Sequence, residues 1–143
     1  VSDLDDLARF FRALLGGRLL PPRLLAKMLT TVTIEPGFGY GLGLMVIETP
    51  AGRLVGHGGS IPGFFNVVLS TEDGRRQFGV MVNAEFAPPP VYEAFDQVVA
   101  ELGTRLLGGA AVGATSVNAS LGAVVRTGGL ARTRAGGAMQ ARR

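Results

Sequence analysis

The segment Val55-Gly56-His57-Gly58-Gly59-Ser60-Ile61-Pro62-Gly63-Phe64 holds the chain's single histidine, with glycine on both sides of it. Imidazole is the side chain suited to moving a proton near neutral pH. Glycines beside it let a ligand lie directly against the backbone and leave bare N–H groups available as donors. Acyl transfer needs such donors, held rigid before negative charge develops on the oxyanion. On spacing alone, a glycine-rich turn with a structural histidine fits the same residues. Several other chemistries are excluded. The chain has no cysteine, hence no disulfide, thiolate metal site or cysteine nucleophile. With His57 alone there is no multi-histidine metal centre, and neither metal nor cofactor is expected. Ser60 is a poor nucleophile candidate, because Gly58-Gly59-Ser60-Ile61-Pro62 has proline where a nucleophile elbow requires glycine.

The elements that must position this segment follow from hydrophobic periodicity. Ser2 followed by Asp5 predicts a capped helix start. Leu4, Leu7, Ala8, Phe11, Leu14 and Leu15 then recur at helical spacing until Gly16-Gly17. Pro21-Pro22 predicts a second, shorter helix through Leu24, Leu25, Met28 and Leu29. From Phe38 the period changes to two, and one strand is expected through Val46, with Tyr40, Leu42 and Leu44 on one face. Thr49-Pro50-Ala51-Gly52 predicts a turn, Arg53 to His57 a return strand, and Gly58 to Gly63 a loop. Phe64 to Ser70 and Gln77 to Asn83 are expected to form a hairpin across Glu72-Asp73-Gly74, with Arg75-Arg76 at a solvated tip. After Pro88-Pro89-Pro90, Val91, Phe95, Val98, Val99, Leu102 and Leu106 form a helical stripe that needs the sheet to cover it. The expected fold is α+β: an antiparallel sheet of about four strands, two N-terminal helices and a C-terminal helix packed on it.

Length and charge bound the partners. The 143 residues suit one domain, with 47% apolar and 17% charged side chains. The net charge of +3 is unevenly placed. Residues 1–107 carry nine basic and eleven acidic groups, whereas residues 108–143 carry five arginines and no acid. The basic stretch has no aromatic residue to stack on a base, so no nucleic-acid partner is expected. Its Gly, Ala and Arg composition lacks a period, and a disordered tail is expected over 108–143. No apolar run approaches a membrane span. The start at Val1 suggests a missing beginning, any export signal with it.

The segment His57-Gly58-Gly59, followed by Pro62-Gly63-Phe64 and preceded by Tyr40-Gly41-Leu42-Gly43-Leu44, resembles the third motif region of the serine β-lactamase and DD-peptidase superfamily. The similarity is to its class C, DD-carboxypeptidase and esterase branch. Val1-Ser2-Asp3-Leu4-Asp5-Asp6-Leu7-Ala8-Arg9-Phe10 and Leu14-Leu15-Gly16-Gly17 resemble a helix of the same family, so the likeness covers residues 1–107 in order. The third motif there is Lys-Thr-Gly, with histidine in place of lysine in some members. The resemblance implies that His57 faces the cleft, joining a proton network or holding a substrate anion. It makes Gly58 and Gly59 the substrate-binding positions and the Ser60 backbone N–H an oxyanion donor. It also implies a small-molecule or peptide substrate and a serine-bound acyl intermediate. Gly58 departs from the pattern, since the usual Thr or Ser hydroxyl is missing. A hydrogen bond to a carboxylate contributes about 1.5–3 kcal/mol, so an esterase or peptidase-like parent is expected over an efficient β-lactamase.

The family's other motifs do not occur here. The single lysine, Lys27, has Leu24 three residues before it, so Ser-x-x-Lys is absent. Tyr40 and Tyr92 lack an asparagine two residues on, and Ser116-Val117-Asn118 falls after the third motif instead of before it. The chain is therefore expected to be the C-terminal portion of such a hydrolase, inactive alone; the alternative is a non-catalytic binding module or a remnant docking to a partner. Without preceding elements, the sheet is expected to have an unpaired edge and a bare face.

Overall fold

The computed structural model describes residues 2–84 and 89–108. The tail expected to be disordered lies, apart from Gly108, outside the described residues. The chain opens with helix α1 (Leu4–Leu15) and helix α2 (Pro22–Met28). Six strands follow: β1 (Val32–Glu35), β2 (Phe38–Tyr40), β3 (Met45–Thr49), β4 (Gly52–Ile61), β5 (Phe64–Thr71) and β6 (Gln77–Val82). Helix α3 (Pro89–Leu106) closes the described part. The strands form a single antiparallel sheet in sequence order, with β1 and β6 at its edges.

The cap of α1 is Asp3 rather than Ser2: the Asp3 carboxylate accepts from the Asp6 N–H at 2.8 Å. A carboxylate at this end both caps an N–H group and meets the positive pole of the helix. The other end stops as the paired glycines predict. Gly17 takes φ 72°, and the Arg18 and Gly17 N–H groups donate to the Ala13 and Leu14 carbonyls.

The sheet separates two apolar layers. On one face, Phe11, Leu14 and Leu15 of α1 pack with Leu44, Val46, Val55 and Val68. On the other, Phe95, Val99 and Ala100 of α3 pack with Phe38, Met45, Ile47, Leu54, Phe65, Val67 and Leu69. Each face thus carries a helix, contrary to the expected bare face. Val98, which spacing places on the α3 stripe, is 46% exposed.

Three features of the sheet differ from the sequence expectation. Two more strands are present than the four expected, one of them β1, whose alternation of Val32 and Ile34 with Thr33 and Glu35 is only four residues long and leaves both apolar side chains exposed. The stretch 38–47 is two strands joined by a tight turn, because Gly43 takes φ 75° and the Gly41 N–H donates to the Leu44 carbonyl. The turn reverses the facing: Tyr40 packs with the α3 layer and Leu44 with the α1 layer. Gly58 to Gly63 is not a loop, since β4 stays paired with β5 to Ile61↔Phe64. Only Pro62-Gly63 turns, with Gly63 at φ 93° and proline at the preceding position that a type II turn favours. The β5–β6 turn is solvated at Glu72, Asp73, Arg75 and Arg76, as expected, but its glycine is not. Gly74 is buried against the end of α1, where an added Cβ would stand 3.1 Å from the Leu15 Cβ. Beside it the Thr71 hydroxyl donates to Asp73 at 2.6 Å and the Arg75 N–H at 3.0 Å, which holds the Asp73 carboxyl below its usual range.

Two glycines of β4 differ sharply in what surrounds them. A Cβ on Gly56 would stand 1.9 Å from the Val68 carbonyl oxygen, whereas one on Gly59 would meet only the Asn66 Nδ2, at 3.5 Å. Gly56→Ala is therefore expected to abolish cooperative urea unfolding of the full chain, while Gly59→Ala keeps it; equal stability of the two would contradict this strand spacing. In the same assay Leu54→Ala, at a fully buried position, should cost about 2–5 kcal/mol. Leu42→Ala, at a position 65% exposed, should cost less than about 0.5 kcal/mol.

Candidate active site

The site is built on β4. Leu54 and Val55 are buried in opposite layers and anchor the strand, after which burial falls progressively from Gly56 to Ile61. Strand β3 pairs with β4 only as far as Met45↔Gly56, so from His57 to Ile61 the strand has β5 on one side and no strand on the other among the described residues. Alternate backbone groups on that open side are left for a ligand or solvent.

His57, Gly58 and Gly59 line one cleft of about 270 Å³. Helix α1 supplies its opposite wall through Leu7, Phe10, Phe11 and Leu14, and Met28 of α2 joins them. Gly43 and Leu44 of the β2–β3 turn and Asn66 and Val68 of β5 complete it. The wall is mostly apolar, with the imidazole and the Asn66 amide as its polar side chains. Ser60 lies farther along β4, exposed and paired with Phe65. Three of the four residues singled out from the sequence thus share a cleft, and the fourth stands at the exposed end of the same strand.

Both ring nitrogens of His57 are engaged. Nε2 lies 2.7 Å from the Tyr40 hydroxyl, and Nδ1 lies 2.5 Å from the Gly58 carbonyl oxygen. The two rings meet edge to face, with centroids 5.7 Å apart. His57 is therefore not bonded to Ser60, which agrees with the missing nucleophile elbow. At Gly58 an added Cβ would stand 3.0 Å from the Asn66 carbonyl oxygen. A Thr or Ser there would press on the β5 backbone, a local reason for glycine at this position.

Tyr40 and Asn66 are not singled out as site residues by the sequence, which gives them only as positions in the strands expected over Phe38 to Val46 and Phe64 to Ser70. The pairing Tyr40↔Met45 and Met45↔Gly56 sets Tyr40 beside the histidine strand, two strands over. The signal was the Gly41-to-Leu44 turn; once that is a hairpin, Tyr40 and His57 become neighbours. Among the described residues no cluster of His, Cys, Asp and Glu could hold a metal ion, and no helix is long and apolar enough to cross a membrane.

Comparison with known proteins gives the family of the chain. The Beta-lactamase family matches residues 1–103. A D-stereospecific amidohydrolase from Streptomyces sp. is 37% identical, with a TM-score of 0.61 over 77% of this chain and 31% of that one. The D-amino acid amidase from Ochrobactrum anthropi SV3, in complex with D-phenylalanine, is 27% identical, with a TM-score of 0.54 over 68% of this chain and 35% of that one. An octameric penicillin-binding protein homologue from Pyrococcus abyssi shares the fold at 24% identity and a TM-score of 0.53, over 71% of this chain and 24% of that one. The chain spans about a third or less of the length of these structures. With the family matched across both helices, the histidine strand and most of α3, the chain belongs to the Beta-lactamase family of serine hydrolases.

Proposed function

We propose that residues 1–107 form the His-Gly-Gly wall of the active site of a serine amidohydrolase, with residues 108–143 appended to it. The observation that carries this reading is the open side of β4 from His57 to Ile61, which borders the cleft at His57, Gly58 and Gly59. In the reaction, a serine hydroxyl adds to the substrate carbonyl and the oxygen takes up negative charge. The Ser60 N–H donates to that oxyanion, together with the N–H of the nucleophile itself. Expulsion of the amine leaves an acyl-serine, which water then hydrolyses. His57 serves the proton network beside this centre.

The serine and lysine of the first motif, and the Tyr-x-Asn of the second, come from residues other than these 143. Two features favour an amide or peptide of a D-amino acid as substrate. The relatives at 37% and 27% identity act on D-configured substrates by their names. Gly58 lacks the hydroxyl that would bind a penicillin carboxylate, and Asn66 leaves little space for one. The apolar wall of Leu7, Phe10 and Phe11 would accept an apolar acyl side chain.

Two measurements test this. The isolated chain, treated with a fluorophosphonate, is expected to carry no label; a labelled serine would mean that it holds its own nucleophile. Residues 1–107 exchanged for the matched segment of the Streptomyces amidohydrolase should yield an enzyme that cleaves D-amino acid amides. In that hybrid His57→Ala should lower kcat/KM by about a hundredfold or more. An unchanged rate would remove His57 from the mechanism.

A further inference from the structure

We infer that Tyr40 is a positioning residue that fixes His57 as the Nδ1–H tautomer, so that in the resting site neither ring nitrogen is free to hold a substrate anion. Only some of the atoms around the ring can donate. The Gly58 carbonyl oxygen only accepts, so the proton of a neutral imidazole must sit on Nδ1, the nitrogen 2.5 Å from it. Nε2 is then a bare lone pair, and the atom facing it at 2.7 Å is the Tyr40 hydroxyl, which can donate. The reverse tautomer would set the Nδ1 lone pair against a carbonyl lone pair and leave that carbonyl without its donor. One neutral arrangement therefore satisfies both contacts.

The arrangement is held from two sides. Tyr40 stands at the end of β2, where Tyr40↔Met45 is the last ladder pair before the turn, and its ring packs against the layer beneath α3. His57 is the first residue of β4 beyond its pairing with β3, so no cross-strand neighbour on that side fixes its ring. The phenol supplies what the missing strand does not. The His57-to-Gly58 bond also orients the Gly58–Gly59 peptide, whose trans geometry aims the Gly59 N–H away from the carbonyl. Tyr40 thus acts through His57 on the glycine backbone of the cleft. On this account the imidazole reaches a reacting group only as part of the Tyr40–His57 pair, unlike the lysine found at this position elsewhere in the family.

The inference rests on reading His57 as the imidazole of the site. Its test needs no hydrolysis, so the two fail separately. Because His57 is the chain's one histidine, a two-bond ¹H–¹⁵N spectrum of the ¹⁵N-labelled full chain at neutral-to-basic pH contains one imidazole pattern. The expected pattern is a protonated, pyrrole-type Nδ1 and a pyridine-type Nε2 shifted by an accepted hydrogen bond. Tyr40→Phe should move Nε2 to the position of a bare nitrogen, or transfer the proton to it. Tyr92→Phe, which removes the only other phenol, should leave the pattern in place. An Nε2–H tautomer in the unmutated chain, the averaged pattern of a free imidazole, or a Tyr40→Phe spectrum identical to the parent's would each overturn the inference.

Discussion

From Leu54 to Ile61, β4 pairs with β5 at every position, and this ladder exists in its present spacing only because position 56 has no side chain. The Val68 carbonyl oxygen occupies the space a Cβ would need, so two backbones approach where side chains would otherwise hold them apart. Everything else is referred to this contact. Leu54 hands one face of the strand to the α3 layer and Val55 hands the other to the α1 layer, fixing both helices against the same strand. The strand then runs out of the core with its register already set, and its exposed last residues remain paired with β5. The oxyanion role proposed for the Ser60 N–H calls for a backbone donor held in this way.

How much of this was legible in the sequence depended on whether the signal was periodic or relational. The three helices and the β5–β6 hairpin were readable because apolar residues repeat along them, as at Leu4, Leu7 and Phe11 or at Phe95 and Val99. The glycine-rich end of β4 was not: Gly58, Gly59 and Ser60 carry no alternation, and their strand character comes entirely from pairing with Val67, Asn66 and Phe65. Strand β1 was missed for another reason: Val32-Thr33-Ile34-Glu35 alternates over only four residues, and at the sheet edge Val32 and Ile34 stay in solvent. The run from Phe38 to Val46 misled in the opposite direction. Its residues alternate by type, but Gly43 at positive φ folds the run back on itself and exchanges the faces. His57, Gly58 and Gly59 could be singled out by type and by family resemblance. Tyr40 could not, because its proximity to His57 is created by the hairpin that the alternation concealed.

One wall of the cleft is backbone and imidazole, the other is the apolar face of α1, and among the described residues no serine lines it. The proposed reading, in which the nucleophile comes from elsewhere, is in keeping with a chain that covers about a third or less of its relatives' length. It also gives meaning to the Tyr40–His57 bond. At His57 the strand has lost its β3 partner on one side, and a phenol from β2, two strands over, holds the ring in one protonation pattern. The backbone carbonyl at position 58 is the acceptor that fixes the ring's other nitrogen, while the close approach of the Asn66 carbonyl is what favours glycine there.

In the proposed enzyme the open side of β4 faces the reacting carbonyl. The most direct measurement is a crystal structure of the Streptomyces hybrid carrying a phosphonate covalently bound to its serine. The account predicts a phosphonyl oxygen within hydrogen-bond distance of the Ser60 N–H, with the phosphonate's substituent against Leu7, Phe10 and Phe11. A phosphonyl oxygen that makes no contact with β4, with the inhibitor lying against another element, would contradict it.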